Sequence, residues 1–198
     1  MASFSNLKGI LTALFIMLMA PLAFCDELKF EDAKTDQKGN VVFTYVIENL
    51  PLNATEGLEA SLKYLENEYK TTKYKEIEHF ADKGIAYGKG HLNSFYTDNG
   101  MVKSEVFSTD YFLRLDAKDN KVRVQLIFTN YNVLTLSDTS NKESMDVAIS
   151  SVAPFADAKD NGKYKKAFKA LTEKANIVLK SVSEKLRAFT PAPVMDEW

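Results

Sequence analysis

The feature that most limits the fold of this chain is an apolar stripe close to its C-terminal end. The members of the stripe follow one another at spacings of three and four residues, with lysines filling the opposite face: Tyr164, Phe168, Leu171, Ala175, Val178, Val182, Leu186 and Phe189. This spacing predicts an amphipathic helix of about seven turns that ends before Pro191. Packing on a sheet is favoured over a coiled coil, because the stripe covers only about three and a half heptads.

The middle of the chain supplies strands for such a sheet. Residues 41–50 alternate apolar side chains and predict a first strand. Four more strands, separated by turns rich in Gly, Asn and Asp, are predicted over residues 74–81, 85–96, 105–116 and 122–128. In the last of these, apolar residues alternate with Arg123 and Gln125, which is typical of an antiparallel meander with one wet side.

A shorter helix is predicted between the first strand and the meander. Asn53 can cap it, and Glu56 stands three residues later, where its side chain can reach back to the cap. Leu58, Leu62, Leu65 and Tyr69 then form one apolar stripe. Residues 53–55 also match an N-glycosylation acceptor, but capping accounts for Asn53 without a sugar.

The segment between the meander and the last helix has no clear period. Ser, Thr, Asn and Asp crowd residues 137–144. We expect a long mobile excursion over residues 129–160, with a short helix at about residues 142–152 that Pro154 would end.

The first 25 residues have the pattern of a secretory signal peptide. Lys8 precedes an apolar run over residues 10–24, which is too short to span a bilayer comfortably. Cleavage after Cys25 is favoured; in the alternative, Cys25 is the first mature residue and carries a lipid. We therefore predict a signal peptide at 1–25, a single α+β domain at 26–189, a flexible tail at 190–198, and a location in the periplasm or at the cell surface.

Charge and cysteine content narrow the function classes. The formal net charge is −2, and no basic patch is evident, which argues against nucleic acid as a partner. Cys25 is the only cysteine, so an internal disulfide is excluded and core packing must stabilise the fold.

The order strand, helix, four strands, helix resembles half of the TATA-box-binding-protein (TBP) fold. A closer likeness lies in residues 53–56, 82–90 and 115–123, where the chain resembles a family of uncharacterised secreted proteins from Bacteroides and relatives with a TBP-like fold. That family usually has Gly where this chain has Asn120. The resemblance implies the fold but no site residues, since the family has no established activity. A helix-grip fold is the alternative; it requires more strands than the meander supplies, and residues 130–136 could add one.

No arrangement of residues predicts catalysis, a cofactor or a metal. If Asp82 pairs with Ile85, His79 and His91 point to opposite sheet faces and cannot share a metal ion. A bulged turn would put both on one face, but still well apart. The glycines at 84, 88 and 90 lack the spacing and the Ser or Thr of a phosphate loop, and Gly88 and Gly90 more simply mark a bulge or a close backbone approach.

One set of aromatic residues is a candidate ligand surface: Phe95, Tyr96, Phe107, Tyr111, Phe112 and Tyr131. On a wet sheet face they would form a platform for glycans, peptides or lipids. The interpretation we favour is that they fill the core beneath the helices.

The leading functional hypothesis is an exported, non-enzymatic domain that binds a protein or a glycan. The alternatives are a hydrolase that acts on envelope or other polymers, and a helix-grip carrier of an apolar ligand. Contact with a membrane is expected only through a lipid anchor at Cys25.

Overall fold

The computed structural model of the chain describes residues 32–69, 77–137 and 142–191. The predicted signal peptide with Cys25, the start of the second predicted strand and most of the predicted tail lie outside these residues. Within them, eight strands form one antiparallel sheet and two helices pack on it. The elements are β1 (Ala33–Thr35), β2 (Val41–Ile47), α1 (Ala54–Tyr69), β3 (Ile77–Phe80), β4 (Ile85–Asn99), β5 (Lys103–Lys118), β6 (Lys121–Phe128), β7 (Asn130–Ser137), β8 (Lys142–Ala148) and α2 (Asn161–Arg187).

Strand β5 is the centre of the sheet. The strand order is β1-β2-β6-β5-β4-β3, and β7 pairs with β5 and β8. The second half of β5 pairs with β6, from Tyr111 opposite Phe128 to Lys118 opposite Lys121. Its first half pairs with β7, which begins two residues after β6 ends. One long strand is therefore flanked on the same side by two shorter ones in succession.

The turns follow the predicted chemistry, but one hairpin has a different register. Gly84 and Asn120 adopt positive φ angles of 64° and 62°, which few residue types tolerate. A 3-10 turn over Ala81–Lys83 precedes Gly84, so Phe80 lies opposite Ile85. The predicted pairing of Asp82 with Ile85 is wrong by two residues because this turn is longer. A shift of two keeps each side chain on its face, so His79 and His91 do lie on opposite faces.

The first helix begins with the predicted capping box. Asn53 Oδ1 accepts a hydrogen bond from the Glu56 backbone N–H at 3.0 Å, and Glu56 Oε2 accepts one from the Asn53 N–H at 2.8 Å. The carboxylate of Asp119, in the turn between β5 and β6, accepts from the Ala54 N–H at 2.9 Å. This contact fixes the start of α1 to the sheet.

The long helix covers the sheet through the predicted stripe. Of the stripe residues, only Val178 and Phe189 are not fully buried. Phe168 stacks on Phe43 of β2 at a centroid distance of 5.9 Å, and Phe155 meets its edge at 5.1 Å. Tyr164 stacks on Tyr131 of β7 and meets the edge of Phe107 of β5. Aromatic side chains of β2, β5 and β7 are therefore in direct contact with those of α2.

The expectation for residues 129–160 is wrong. Residues 130–137 form β7, residues 142–148 form β8 instead of a helix, and a 3-10 turn follows at Ile149–Ser151. Strand β8 pairs along its length with β7 but is almost wholly exposed. Four of its seven side chains are polar or charged, and Met145 is exposed, so backbone pairing holds the strand, and its apolar pattern is too short to reveal it.

The prediction for Gly88 and Gly90 of β4 is a bulge or a close backbone approach, whereas in the structure a side chain approaches each of them closely. A Cβ atom on Gly88 would lie 2.6 Å from Leu65 Cδ2, and one on Gly90 would lie 2.3 Å from Tyr111 Cζ. The bulge lies further along, between Leu92 and Tyr96, and β4 continues beyond it to Asn99. The first predicted strand, in contrast, ends early, at Ile47.

Candidate functional site

The predicted aromatic set lies mainly beneath the helices. Phe107, Tyr111 and Tyr131 are buried there, and Phe95 and Tyr96 are partly buried against the same core. These five residues therefore lie on the side of the sheet that the helices cover, where the core interpretation expects them, and not on its wet side. Phe112 alone of the larger set lies on the other face, where its side chain is 43% exposed.

Tyr111 belongs to a buried hydroxyl cluster. Its hydroxyl lies 2.9 Å from the Tyr69 hydroxyl of α1. Burial raises the pKa of both phenols, and it raises the pKa of Tyr64 to about 12. These groups therefore stay protonated at neutral pH and serve as structural hydrogen-bond partners.

The sheet face turned away from the helices, here called the open face, is a candidate site. On β5 the odd-numbered residues from Glu105 to Ala117 are buried, whereas the even-numbered residues form the open face. Three cross-strand rows occupy the half of this face that contains residues 112–116 of β5. They are Val42–Ile127–Phe112–Lys89, Thr44–Gln125–Arg114–Tyr87–Glu78 and Val46–Arg123–Asp116–Ile85–Phe80.

A carboxylate between two guanidinium groups organises this face. Asp116 accepts hydrogen bonds from Arg114 Nε at 2.6 Å and from Arg123 Nε at 2.7 Å, and also from Arg123 Nη2. Burial would lower the pKa of Arg114, but the hydrogen bond to Asp116 outweighs it, and the net pKa is raised. These hydrogen bonds hold both guanidinium groups in fixed orientations, and one carboxylate can offset the charge of only one arginine.

Aromatic rings underlie these cations. The Arg114 guanidinium lies 5.5 Å from the ring centroid of Tyr87, and Lys89 Nζ lies 5.9 Å from that of Phe112. Each pair stands directly opposite across β4 and β5. Phe80 meets Tyr87 edge-on. The cations therefore lie over the rings, where cation–π attraction holds them.

A groove of about 560 Å3 crosses the open face. Its floor is Tyr87, Phe112 and Ile127, and its wall is formed by Asp36, Gln37, Lys38 and Asn40 in the loop between β1 and β2. The Asp36 carboxylate accepts from the backbone N–H groups of Lys38 and Asn40 and from Asn40 Nδ2, all within 2.9 Å. The Asn40 hydrogen bonds lower the pKa of Asp36, and this network shapes the wall.

The other half of the open face, which contains residues 104–110 of β5, holds an imidazole–carboxylate pair. His91 Nδ1 lies 2.7 Å from Asp110 Oδ1, and both side chains are partly exposed. Two serines lie near this pair, but their hydroxyls donate to Asn93 Oδ1, at 3.2 Å from Ser94 and 3.5 Å from Ser108. Ser94 has a φ of 45° and lies in the bulge of β4.

Residues 32–69, 77–137 and 142–191 contain no group of three or more His, Cys, Asp or Glu side chains placed to hold a metal ion. In the same ranges, no helix has the length and apolar character needed to span a bilayer.

The fold has counterparts among solved structures. A crystal structure of a TBP-like protein from Parabacteroides distasonis matches with a TM-score of 0.59 at 12% identity, covering 78% of this chain and 97% of that one. The chain has a TBP-like fold. A crystal structure of a DUF4468 family protein from Bacteroides ovatus matches with a TM-score of 0.50, also at 12% identity, covering 83% of this chain and 95% of that one. No family model and no curated protein matches the chain.

The likeness confirms the predicted architecture. The sequence resemblance to Bacteroides-type proteins with a TBP-like fold is confirmed at the level of the fold, and the α+β class with its long C-terminal helix is also confirmed. At 12% identity, the likeness carries no site from those proteins to this one.

The groove and the Asp116 cluster were not found by sequence reasoning. Arg114, Asp116 and Arg123 were placed on strands, but their meeting depends on the register between β5 and β6. The available signal was an acidic residue that follows one arginine by two positions on its own strand and faces a second arginine across the hairpin, since the Asn120 turn sets that register.

Proposed function

We propose that this chain is exported and that its mature part is a binding domain that holds its partner on the open face. Export rests on the signal-peptide pattern of the first 25 residues. Binding rests on one structural observation, the groove on the open face, with an apolar floor and cations held in place around it.

The construction of the sheet supports this role. Strands β2, β6, β5 and β4 are each paired on both sides along the groove, so the floor is rigid. Side chains on such a scaffold keep their positions when a ligand arrives, which lowers the entropic cost of binding. The loop at residues 36–40, which carries the wall, is itself tied by three hydrogen bonds to Asp36.

Two alternatives have less support. A hydrolase would draw on His91 and Asp110, which form the imidazole–carboxylate half of a triad. The nearby serine hydroxyls, however, donate to Asn93, and a serine nucleophile must give its proton to the base. A carrier would need room between the sheet and α2, where the rings of Phe43, Phe168 and Phe155 are in contact.

Site-directed labelling in the native cell envelope tests the binding role. Gln125→Cys places a thiol on the open face beside Arg114, and Lys174→Cys places one on the exposed side of α2. We expect maleimide to label Gln125→Cys more slowly in the envelope than in the purified protein, because a partner covers the open face. Labelling of Lys174→Cys should be equally fast in both. Cys25 does not interfere, since the signal is either removed with it or leaves it lipid-modified.

Equal labelling rates for Gln125→Cys in the two preparations would contradict a partner on this face. The intact mass of the mature protein tests export separately. We expect a chain that starts at Asp26, or a heavier one that starts at a lipid-modified Cys25. A mature protein that keeps Met1 would contradict export.

A further inference from the structure

We infer that the groove on the open face binds an acidic glycan, one whose sugar rings carry carboxylates. This inference rests on the proposed binding function and names its ligand class.

Among the described residues of the three rows and the wall loop, cations outnumber anions by one, although the whole chain has a net charge of −2. Lys38 and Asp36 line the groove itself, and the other charged residues lie on the rows beside it. The three rows and the wall loop hold Lys38, Lys89, Arg114 and Arg123, against Asp36, Glu78 and Asp116. Asp36 accepts three hydrogen bonds within its loop, and Asp116 accepts from both arginines. Two of the three anions are thus already engaged inside the protein.

Hydrogen-bond donors are in surplus on this face. A guanidinium has five N–H donors, and Asp116 takes one from Arg114 and two from Arg123. Even with the bond that Arg114 makes to Tyr87, several donors remain. A ligand that matches them must bring acceptors, and carboxylates fit a fixed guanidinium best because they can accept two parallel bonds.

A glycan fits this surface better than a peptide does. Peptides that bind sheets pair their backbone with a free strand edge, and the strands beneath the groove have both edges paired. The strands therefore present only side chains to the groove, and Gln37 is among the residues that line its wall. A lipid chain would need an enclosed apolar cavity, whereas this groove is open. Its volume of 560 Å3 lies in the range of about 300–1,000 Å3 that is usual for small-ligand sites.

The rings beneath the cations favour a charged sugar over a neutral one. Neutral sugars bind by stacking on an uncovered aromatic face. Here Arg114 lies over Tyr87 and Lys89 lies over Phe112. A ligand that enters the groove therefore contacts these cations before it contacts the rings. Ile127 and the exposed part of Phe112 can still take the apolar side of a sugar ring.

Calorimetry with defined oligosaccharides tests the inference on the purified mature protein. We expect tetragalacturonate to bind and maltotetraose, a neutral tetrasaccharide, not to bind. Raising sodium chloride from about 0.05 M to about 0.5 M should weaken binding, since salt screens exposed charges. Arg123→Gln should weaken it about tenfold, the value of one charge-assisted hydrogen bond. Lys38→Gln, in the exposed loop, should also weaken it without bearing on the fold.

The control is Lys174→Gln, which removes the same charge from the outer side of α2 and should leave binding unchanged. The inference fails if tetragalacturonate does not bind, or if maltotetraose, tetraglutamate or phosphatidylglycerol vesicles bind as tightly. Each of those results leaves the labelling test of the open face unaffected, so the ligand class and the binding role can fail separately.

Discussion

The two faces of this sheet are made from alternate residues of the same strands, yet one face is buried beneath the helices and the other is open to solvent. On β5, Phe107, Leu113 and Leu115 are fully buried beneath the helices. Between them on the same strand, Phe112 and Arg114 contact solvent and other open-face residues. The covered face therefore carries most of the apolar burial that stabilises the fold, and the open face is left free to carry charge and a groove.

The largest expected effect is on the covered face at α2. Phe168→Asp or Leu171→Asp places a carboxylate at a position that is 0% exposed. Loss of the apolar side chain costs about 3–5 kcal/mol, and burial of an unpaired charge adds to it, which exceeds the stability of many domains. We expect no cooperative thermal transition, followed by circular dichroism. Ile177→Asp, on the outer side of the same helix, is the control and should change stability by about 0.5 kcal/mol or less.

If Phe168→Asp and Leu171→Asp both melted like the unmutated protein, α2 would not belong to the core and the contrast between the faces would not hold.

A smaller effect is expected where Tyr111 lies over Gly90. In Gly90→Ala, the new Cβ would stand 2.3 Å from Tyr111 Cζ, and that ring is held by the Tyr69 hydroxyl. We expect a loss of about 1–3 kcal/mol in urea unfolding, typical of overpacking. Gly162→Ala is the matched control, since nothing beyond its chain neighbours and the backbone of its own helix lies within 4 Å of the added Cβ. It should be neutral or stabilising by up to about 1 kcal/mol. An equal response of the two variants would contradict the close approach.

The pH dependence of stability probes the rim of the covered face. Glu105 accepts from Lys163 Nζ at 2.5 Å and pairs with Lys103 at 3.2 Å. Burial alone would raise the pKa of Glu105, but these two lysines lower it below its ordinary value. The contribution of Glu105 is therefore present above its unfolded-state pKa, and it is lost as the pH falls through the lower folded-state pKa.

Glu105→Gln should cost about 1–2 kcal/mol in urea unfolding at pH 7. The difference between this variant and the unmutated protein should shrink as the pH is lowered below about 4. A difference that stayed constant down to pH ~2 would show that the carboxylate charge of Glu105 contributes nothing.

The smallest effect is expected on the open face. Phe112→Ala should lower the free energy of unfolding by about 1 kcal/mol or less, because its ring is 43% exposed. Phe107→Ala, five residues earlier on the other face, should cost about 3–5 kcal/mol. Chemical denaturation of the pair measures the contrast directly. Similar losses for both variants would mean that the open face also carries the fold.

The sequence was sufficient where one element determines its own structure. The capping box at Asn53 and Glu56, the stripe of α2 and the alternation along β6 are local patterns with one dominant outcome. The positive φ angles at Gly84 and Asn120 also followed from residue type. These elements are enough to define a helix-covered antiparallel sheet.

What the sequence did not show depends on partners distant in the chain. Strands β1 and β8 lie at the sheet margins, and their mostly exposed side chains leave no apolar alternation to detect. The groove requires the loop at residues 36–40 to stand beside Tyr87 and Phe112, which only the sheet order brings about. The bulge in β4 is centred on Ser94 and has no glycine to mark it.

The bulge in β4 determines which insertions and deletions this strand can accommodate. Leu92 lies opposite Thr109 and Tyr96 lies opposite Phe107, so between these two pairs β4 has two more residues than β5. A gain of two returns every later side chain to its original side, whereas a gain of one would turn Tyr96 and Asp98 outward and their neighbours inward. Insertions and deletions tolerated at this point should therefore come in even numbers, and an odd one should be found only with a second, compensating change further along the strand.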